Sequence, residues 1–242
     1  MARNLARAAR GGNDDGTCGA HTGVISAMRS FTPTSMTELQ MSAPNPAIFP
    51  VFEAFYIQSM LFNANSAMES YSRVSDVLDA IEDKNWDEIR EMLDSQSLLD
   101  ELQNIVLQGA ALSRYFWPVR PEYVARGEQL RNGIGLAENS ALKSRSLRNA
   151  LEHFDERLDV YLNQGIVGRI LPQYVGPAPQ KEQVPYHLFR GFFLDTGEFT
   201  LLGEKYDMQP LVEEIVYIYD ALMYSEDQGG RLQPPPAAGA SS

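Results

Sequence analysis

The chain has 242 residues, of which 44% are hydrophobic, and its formal net charge is −12. No apolar run approaches the roughly 20 residues of a membrane-spanning helix, which excludes such a helix, and the acidic balance disfavours an extended nucleic-acid surface, which needs clustered Lys and Arg. The single Cys18 excludes an internal disulfide and is typical of a reducing compartment, so the sequence predicts a cytoplasmic protein.

The first segment, residues 1–45, is rich in Gly, Ser, Thr, Asp and Asn and has no sustained hydrophobic period. This composition predicts a disordered leader. Cys18 and His21 lie close together in it, but two side chains are too few for a metal site. Because the chain has no Gly-rich phosphate loop before a helix and no zinc-type cluster, we expect no cofactor and no metal.

Residues 46–168 have the pattern of a helical bundle. A long first helix is predicted over 52–81 from its apolar spacing. Asn85, with a glutamate three residues later, has the capping-box pattern that starts a helix, and the second predicted helix continues over 89–115. Because the break between these helices is short, they should lie antiparallel. A proline-initiated third helix is predicted over 121–133.

The last helix of the bundle is predicted over 140–162. Leucine and aromatic residues recur there at helical spacing and form one stripe that should face the core: Leu147, Leu151, Phe154, Leu158, Tyr161 and Leu162. The roughly opposite side carries Asn149, His153 and Val160. Polar residues on that side serve no packing purpose, so this face is predicted to meet water, a ligand or a second subunit.

The composition changes again over residues 169–226. Three prolines near the start predict an extended linker. Two aromatic-rich segments, 186–194 and 198–203, are separated by Asp-Thr-Gly and predict a β-hairpin. A final helix is predicted over 209–224 and a disordered tail over 227–242. The predicted fold class is therefore mainly α, an antiparallel helical bundle on which a small C-terminal β-hairpin and a final helix pack.

One short motif lies in the helix predicted over 140–162. Its sequence Arg148-Asn149-Ala-Leu-Glu-His153 consists of an arginine, a polar residue directly after it, and a histidine four residues beyond that. This motif resembles the signature of the HEPN superfamily, compact helical bundles found in bacterial toxins, defence systems and RNA-processing factors. The resemblance covers about residues 52–162 and implies a HEPN-like bundle.

The resemblance also implies a function. In that family the motifs of two copies usually meet across a two-fold axis, which implies a homodimer with one composite site. The implied activity is metal-independent endoribonuclease cleavage in a toxin or defence setting, with a 2′,3′-cyclic phosphate product. RNA would be the substrate, and an antitoxin or regulatory protein would be a further partner.

The residue types of the motif suit this chemistry. RNA is cleaved when its 2′-hydroxyl attacks the adjacent phosphorus, so a site needs a group that moves protons and a cation for the developing charge. His153 can move protons near neutral pH, and the planar guanidinium of Arg148 suits phosphate oxygens. Asn149 can hydrogen-bond the imidazole or the ribose. These three residues are the predicted catalytic site.

Other interpretations remain open. Arg148 and Glu152 can form an ordinary helix-surface ion pair, and the same face suits a non-catalytic module that dimerises or binds a partner protein, which the acidic surface favours. A third alternative is a regulatory small-ligand binder with a pocket between bundle and hairpin. Arg114 could approach Arg148, but the favoured interpretation is a surface charge beside Trp117. His187 is predicted to pack among aromatic residues.

Overall fold

The fold is described from a computed structural model over residues 47–178 and 185–236. These ranges contain seven α-helices and one four-stranded sheet, so the predicted mainly α class is confirmed. The helices are α1 (Glu53–Ile81), α2 (Trp86–Met92), α3 (Ser95–Phe116), α4 (Val124–Ile134), α5 (Ser146–Glu152), α6 (Phe154–Leu162) and α7 (Gln209–Asp227). The strands are β1 (Arg169–Gly176), β2 (Tyr186–Phe193), β3 (Glu198–Leu201) and β4 (Glu204–Asp207).

The two longest helices, α1 and α3, form the centre of the fold and run antiparallel. Near one end Ser59 of α1 hydrogen-bonds Tyr115 of α3 at 2.6 Å, and near the other Arg73 donates to Glu101 at 3.0 Å. Residue numbers therefore fall along α3 as they rise along α1, as predicted for the first two long helices. Between them lies a core of fully buried side chains, which includes Ile57, Met60, Leu99, Ile105, Leu112 and Phe116.

The segment predicted as one second helix is divided into α2 and α3. The capping box of Asn85 and Glu88 begins α2 as predicted. The chain then becomes extended at Leu93, and the carboxylate of Asp94 accepts hydrogen bonds from the first backbone amides of α3. Aspartate caps a helix well because its side chain satisfies amides that have no partner inside the helix, so Asp94 begins a new helix instead of continuing the old one.

The single helix predicted over 140–162 is wrong. A 3-10 turn (Ala141–Lys143) capped by Ser140 comes first, and α5 and α6 then meet at His153, whose φ of −115° and ψ of 35° leave the helical range. The two helices pack against different elements: α5 packs on α3, whereas α6 packs on the sheet. Ala150 is the one buried residue of α5, and α6 has none, so the predicted apolar stripe is only partly buried.

The sheet has the strand order β1-β2-β3-β4. β1 pairs parallel with β2, whereas the pairs β2–β3 and β3–β4 are antiparallel. The prediction of a linker directly after residue 168 is therefore wrong for 169–176, which form β1. The segments predicted as a hairpin correspond to β2 and β3, and the fourth strand follows them through a tight turn at Leu202 and Gly203, both with positive φ.

The C-terminal helix packs along α1 and turns Val212, Ile215 and Ile218 into the core. The chain then folds back, so that the carboxylate of Glu53 accepts hydrogen bonds from the Arg231 side chain at 2.8 Å and the Leu232 amide at 3.0 Å. The predicted disordered tail is therefore wrong for residues 227–236. The rest of that tail and the predicted leader, 1–45, lie outside the described residues. No helix in the described ranges is both long and apolar enough to cross a bilayer.

Candidate functional site

Arg148 of the predicted site lies on α5 and is largely covered, with 16% of its side chain exposed. Its guanidinium donates two hydrogen bonds to the side-chain oxygen of Asn149, at 2.9 and 3.3 Å, and lies 3.4 Å from the carboxylate of Glu152. The expectation that Asn149 bonds the imidazole or the ribose stays a prediction; among the described residues its side-chain oxygen accepts from Arg148. This contact fixes the direction of the guanidinium.

His153 occupies the junction between α5 and α6 and is open to solvent, with 57% of its side chain exposed. Its backbone amide donates to the Asn149 carbonyl at 3.1 Å, and its Nδ1 lies 3.7 Å from a carboxylate oxygen of Glu156. Among the described residues, no hydrogen bond or ion pair joins the imidazole to Arg148. One chain thus presents a fixed guanidinium and an exposed imidazole on the same short stretch of backbone.

Arg114, at the end of α3, joins this group from a distant part of the sequence. Its Nη2 lies 2.9 Å from one oxygen of the Glu152 carboxylate, and the Nε of Arg148 lies 3.4 Å from the other. Arg114 is 60% exposed, as expected for a surface charge, and the shared Glu152 also brings it near Arg148. Two guanidinium groups converge on one carboxylate, which is also the way in which arginines bind a phosphate group.

Further arginines gather at the C-terminal end of α3. Arg126 donates to the Arg114 carbonyl at 3.2 Å, Arg145 donates to the Trp117 carbonyl at 3.1 Å, and Arg131 donates to the carbonyl of Phe116. The last carbonyls of a helix have no partner within it and carry the negative end of the helix dipole, so they attract cations. These contacts are structural, and they concentrate positive charge beside the motif of a chain with net charge −12.

A cleft of about 330 Å³ opens between α3, α5, α7 and β4. Apolar side chains that include Val106, Ala110, Leu142 and Leu211 form much of its lining, and Arg148 forms part of its wall. Polar residues also line it, among them Ser113, Ser144 and Ser146, and the hydroxyls of Ser144 and Ser146 lie 3.1 Å apart. His153 does not line the cleft. Arg148 therefore connects two features, the cleft on one side and the ion pair with Glu152 on the other.

A polar group beside the cleft ties α6 to β4. Burial, assisted by a 2.6 Å hydrogen bond to Glu204, raises the pKa of Tyr206 to about 12. The Tyr206 hydroxyl and then Arg157 of α6, which donates at 2.9 Å, lower the pKa of Glu204. The phenol of Tyr206 is therefore protonated at neutral pH and acts as a donor to a charged carboxylate.

His187 has the packing role that the sequence predicted. Its Nε2 lies 3.2 Å from the Val167 carbonyl, and its Nδ1 lies 2.8 Å from the Tyr161 hydroxyl. Because a carbonyl oxygen only accepts, Nε2 carries the hydrogen and Nδ1 accepts from Tyr161. The ring also packs edge-on against Tyr161 at 5.7 Å. His187 therefore holds α6 against β2.

Sequence reasoning missed Ser113 and the bridging position of Glu152. A signal for Ser113 was present, because Gly109, Ala110 and Ser113 follow the buried stripe of α3 at helical spacing and are all small. Small residues on a buried stripe leave room for a cleft. No comparable signal existed for Glu152, whose partner Arg114 is 38 residues away. Among the described residues, no group of three or more His, Cys, Asp or Glu side chains is arranged to hold a metal ion.

No family model matches this chain, and neither a curated protein nor a solved structure matches it.

Proposed function

We propose that this protein is a HEPN-type, metal-independent endoribonuclease that acts as a homodimer in a toxin or defence setting. The catalytic residues are Arg148, Asn149 and His153, contributed by both copies to one composite site in a HEPN-like bundle. The observation that carries this proposal is the convergence of Arg114 and Arg148 on Glu152, directly before the exposed His153.

The reaction follows from the groups that two copies supply. One His153 accepts the proton of the 2′-hydroxyl as its oxygen bonds to phosphorus, and the other His153 donates a proton to the departing 5′-oxygen. The bond between phosphorus and the 5′-oxygen breaks, which leaves a 2′,3′-cyclic phosphate and a 5′-hydroxyl. Arg148, directed by Asn149, stabilises the additional negative charge of the phosphorane. A single exposed imidazole cannot perform both proton transfers at once, which is why the site needs a dimer.

The charge of the chain limits how RNA is bound. Phosphate contacts supply most non-specific affinity for nucleic acids, and each contact makes binding more sensitive to salt. With a net charge of −12 the protein repels a polyanion except near the arginines at the end of α3. We therefore expect weak binding to arbitrary RNA and selection of a specific target.

The test compares three variants in an RNA-cleavage assay. His153→Ala and Arg148→Ala should each reduce the cleavage rate by roughly 10²–10⁴-fold, the usual loss when a proton-transfer group or a charge-stabilising donor is removed. Arg90→Ala, which removes an exposed arginine from α2, should cleave like the wild type. Circular dichroism checks that the Arg148 variant keeps its fold. Wild-type cleavage should persist in excess EDTA and leave a cyclic phosphate.

Equal cleavage by the wild type and His153→Ala would identify a contaminating nuclease and contradict the proposal. A non-catalytic partner-binding module is the second candidate function. The exposure of the motif face favours it, because the His153 side chain is 57% exposed there. In that case His153→Ala and Arg148→Ala would each lose partner binding and keep every other activity.

A further inference from the structure

We infer that the outer side of α1 and α3 binds an amphipathic helix of a partner protein, one with an apolar centre and basic ends. We call this side the α1–α3 face, and it consists of the exposed and half-exposed residues within 54–68 and 102–113. It contains none of Arg148, Asn149 and His153, so partner binding here does not depend on the proposed RNA cleavage.

The α1–α3 face carries no charged residue. On α1 no charge occurs between Glu53 and Glu69, and on α3 none occurs from residue 102 until Arg114. In the whole chain 21% of the residues are charged. A helix side that only meets water normally carries charged and polar residues, whereas the centres of protein interfaces are depleted of charge and enriched in aromatic residues.

The two uncharged stretches form one surface, because they lie side by side. The hydroxyls of Ser59 and Tyr115 are 2.6 Å apart, and about two turns further along α1 the Asn104 amide donates to the Ser66 hydroxyl at 3.2 Å. These contacts form a seam of polar side chains between the helices. A further helix can pack over such a seam, as helices do in bundles, where their axes lie roughly 8–10 Å apart.

Large apolar side chains stand on both sides of the seam and reach solvent. Phe55 and Phe62 of α1 are 70% and 78% exposed, and Leu107 of α3 is 46% exposed. Together they expose about 350 Å², if a free aromatic side chain presents about 200 Å². Patches of roughly 300–600 Å² are often functional. This area suits the apolar stripe of one helix, whereas a stable dimer buries about 800 Å² on each partner.

The backbone of the partner decides its secondary structure. A helix side offers only side chains, because its amides and carbonyls are bonded within the helix. An extended peptide would therefore find no backbone partners on the α1–α3 face, unlike a peptide that adds to the edge of a sheet. An amphipathic helix satisfies its own backbone and presents a single apolar stripe.

Acidic side chains lie at both ends of the α1–α3 face. Glu69 and Asp100 are exposed at one end, and Glu226, which accepts a hydrogen bond from Gln58, is exposed at the other. The neighbouring arginines already have acidic partners in two ion pairs, Arg73–Glu101 and Arg114–Glu152. This arrangement favours basic residues at the ends of the bound helix. It disfavours a second copy of the chain, whose net charge is also −12.

The test uses a designed helical peptide of about 18 residues, which is roughly 27 Å long. Leucines at i, i+3, i+4 and i+7 form one apolar stripe, and lysines occupy both ends. A second peptide carries glutamates in place of the lysines. Fluorescence anisotropy with the full chain should give a dissociation constant on the order of 10 μM for the lysine peptide. The glutamate peptide should bind roughly 10-fold more weakly.

Three variants of the full chain locate the binding surface. Phe62→Asp should weaken binding of the lysine peptide by roughly 30-fold, the usual loss at an aromatic hot spot, and should leave the thermal midpoint unchanged because Phe62 is exposed. Val167→Asp is the matched control, since Val167 is 79% exposed but lies between α6 and β1, and it should bind like the wild type. Glu69→Lys should weaken binding of the lysine peptide by roughly 2- to 5-fold.

Five results would overturn this assignment. The first three are absence of lysine-peptide binding, equal binding of the two peptides, and wild-type affinity in Phe62→Asp. A lower oligomeric state of Phe62→Asp in light scattering would assign the α1–α3 face to a second copy, and Phe62-dependent binding of phosphatidylcholine vesicles would assign it to a lipid surface. Failure of the proposed function is a separate result, because RNA cleavage by His153→Ala decides it and the peptide does not.

Discussion

At the scale of single residues, Glu152 is the ion-pair partner that Arg114 and Arg148 share. Its carboxylate contacts both Arg114 and Arg148, at 2.9 and 3.4 Å, and in the proposed site a phosphate group would compete with it for the two guanidinium groups. The side chains of Arg114 and Glu152 are 60% and 32% exposed, and a pair with this exposure contributes only about 0.2–1 kcal/mol to stability. The ion pair of Glu152 therefore contributes little to the stability of the fold.

This position predicts that Glu152→Gln strengthens RNA binding. Removing the negative charge frees two guanidinium groups for phosphates, so the affinity for single-stranded RNA should rise. The plot of log K against log salt should become steeper by about 0.7 for each arginine that gains a phosphate. The measurement is a salt series in the His153→Ala background, which prevents cleavage. Glu122→Gln, which removes an exposed acid, is the control and should leave the slope unchanged. Weaker binding by Glu152→Gln would mean that Glu152 positions the arginines for the ligand.

At the scale of elements, local signals were readable in the sequence and contacts between distant segments were not. The capping box at Asn85 and the long period of α1 are encoded within one or two turns, and both agree with the structure. The break at His153 arises because α5 packs on α3 and α6 packs on the sheet. The spacing of apolar residues in the sequence does not indicate this difference. β1 was missed because its partner β2 lies beyond a proline-containing segment, and parallel pairing leaves no turn signature.

The same reasoning applies to the candidate site. Arg148, Asn149 and His153 were found because they lie within one short motif. Arg114 and Ser113 come close to the motif through the packing of α3 against α5, which the sequence alone does not indicate. The partial burial of the motif stripe also came from tertiary structure, because α5 and α6 lie at the margin of the core and not within it.

This marginal position predicts unequal costs for two leucine substitutions. Leu112 of α3 is fully buried, so Leu112→Ala should leave a cavity and cost about 2–5 kcal/mol. Leu151 of α5 is only partly buried and packs against the edge of the core, so Leu151→Ala should cost about 1 kcal/mol. Urea denaturation of both variants measures the difference. A loss of about 3 kcal/mol or more from Leu151→Ala would contradict this placement of α5.

At the scale of the whole molecule, the proposed reaction requires two copies, and exposed apolar side chains occur in α6 and in the segment after it. Four apolar side chains of α6 and the segment into β1 are exposed: Val160, Leu162, Val167 and Ile170. Val160 and Leu162 are two residues apart and face different sides of α6, so Val160 alone represents the predicted motif face. In a two-fold dimer the same surface is used by both subunits, so one substitution acts twice.

The final prediction is therefore that Val160→Asp abolishes the dimer and the cleavage together. Val160 is 64% exposed, so the change should cost the monomer little stability, whereas two aspartates buried near the axis would repel each other. Light scattering should show a wild-type dimer at micromolar concentration and a Val160→Asp monomer. Val119→Asp is the matched control, because Val119 is 74% exposed but lies between α3 and α4, and it should remain dimeric and active.

Activity on dilution gives a second, independent measurement of the same point. If each site needs two copies of His153, wild-type cleavage per chain should fall as the protein is diluted below the dissociation constant of the dimer, whereas a site complete in one chain would show constant activity. The Val160→Asp variant should show no cleavage per chain at any concentration at which it is monomeric. A Val160→Asp monomer that cleaves at the wild-type rate would show that one copy suffices, and the two proton transfers would then need a second group from the same chain.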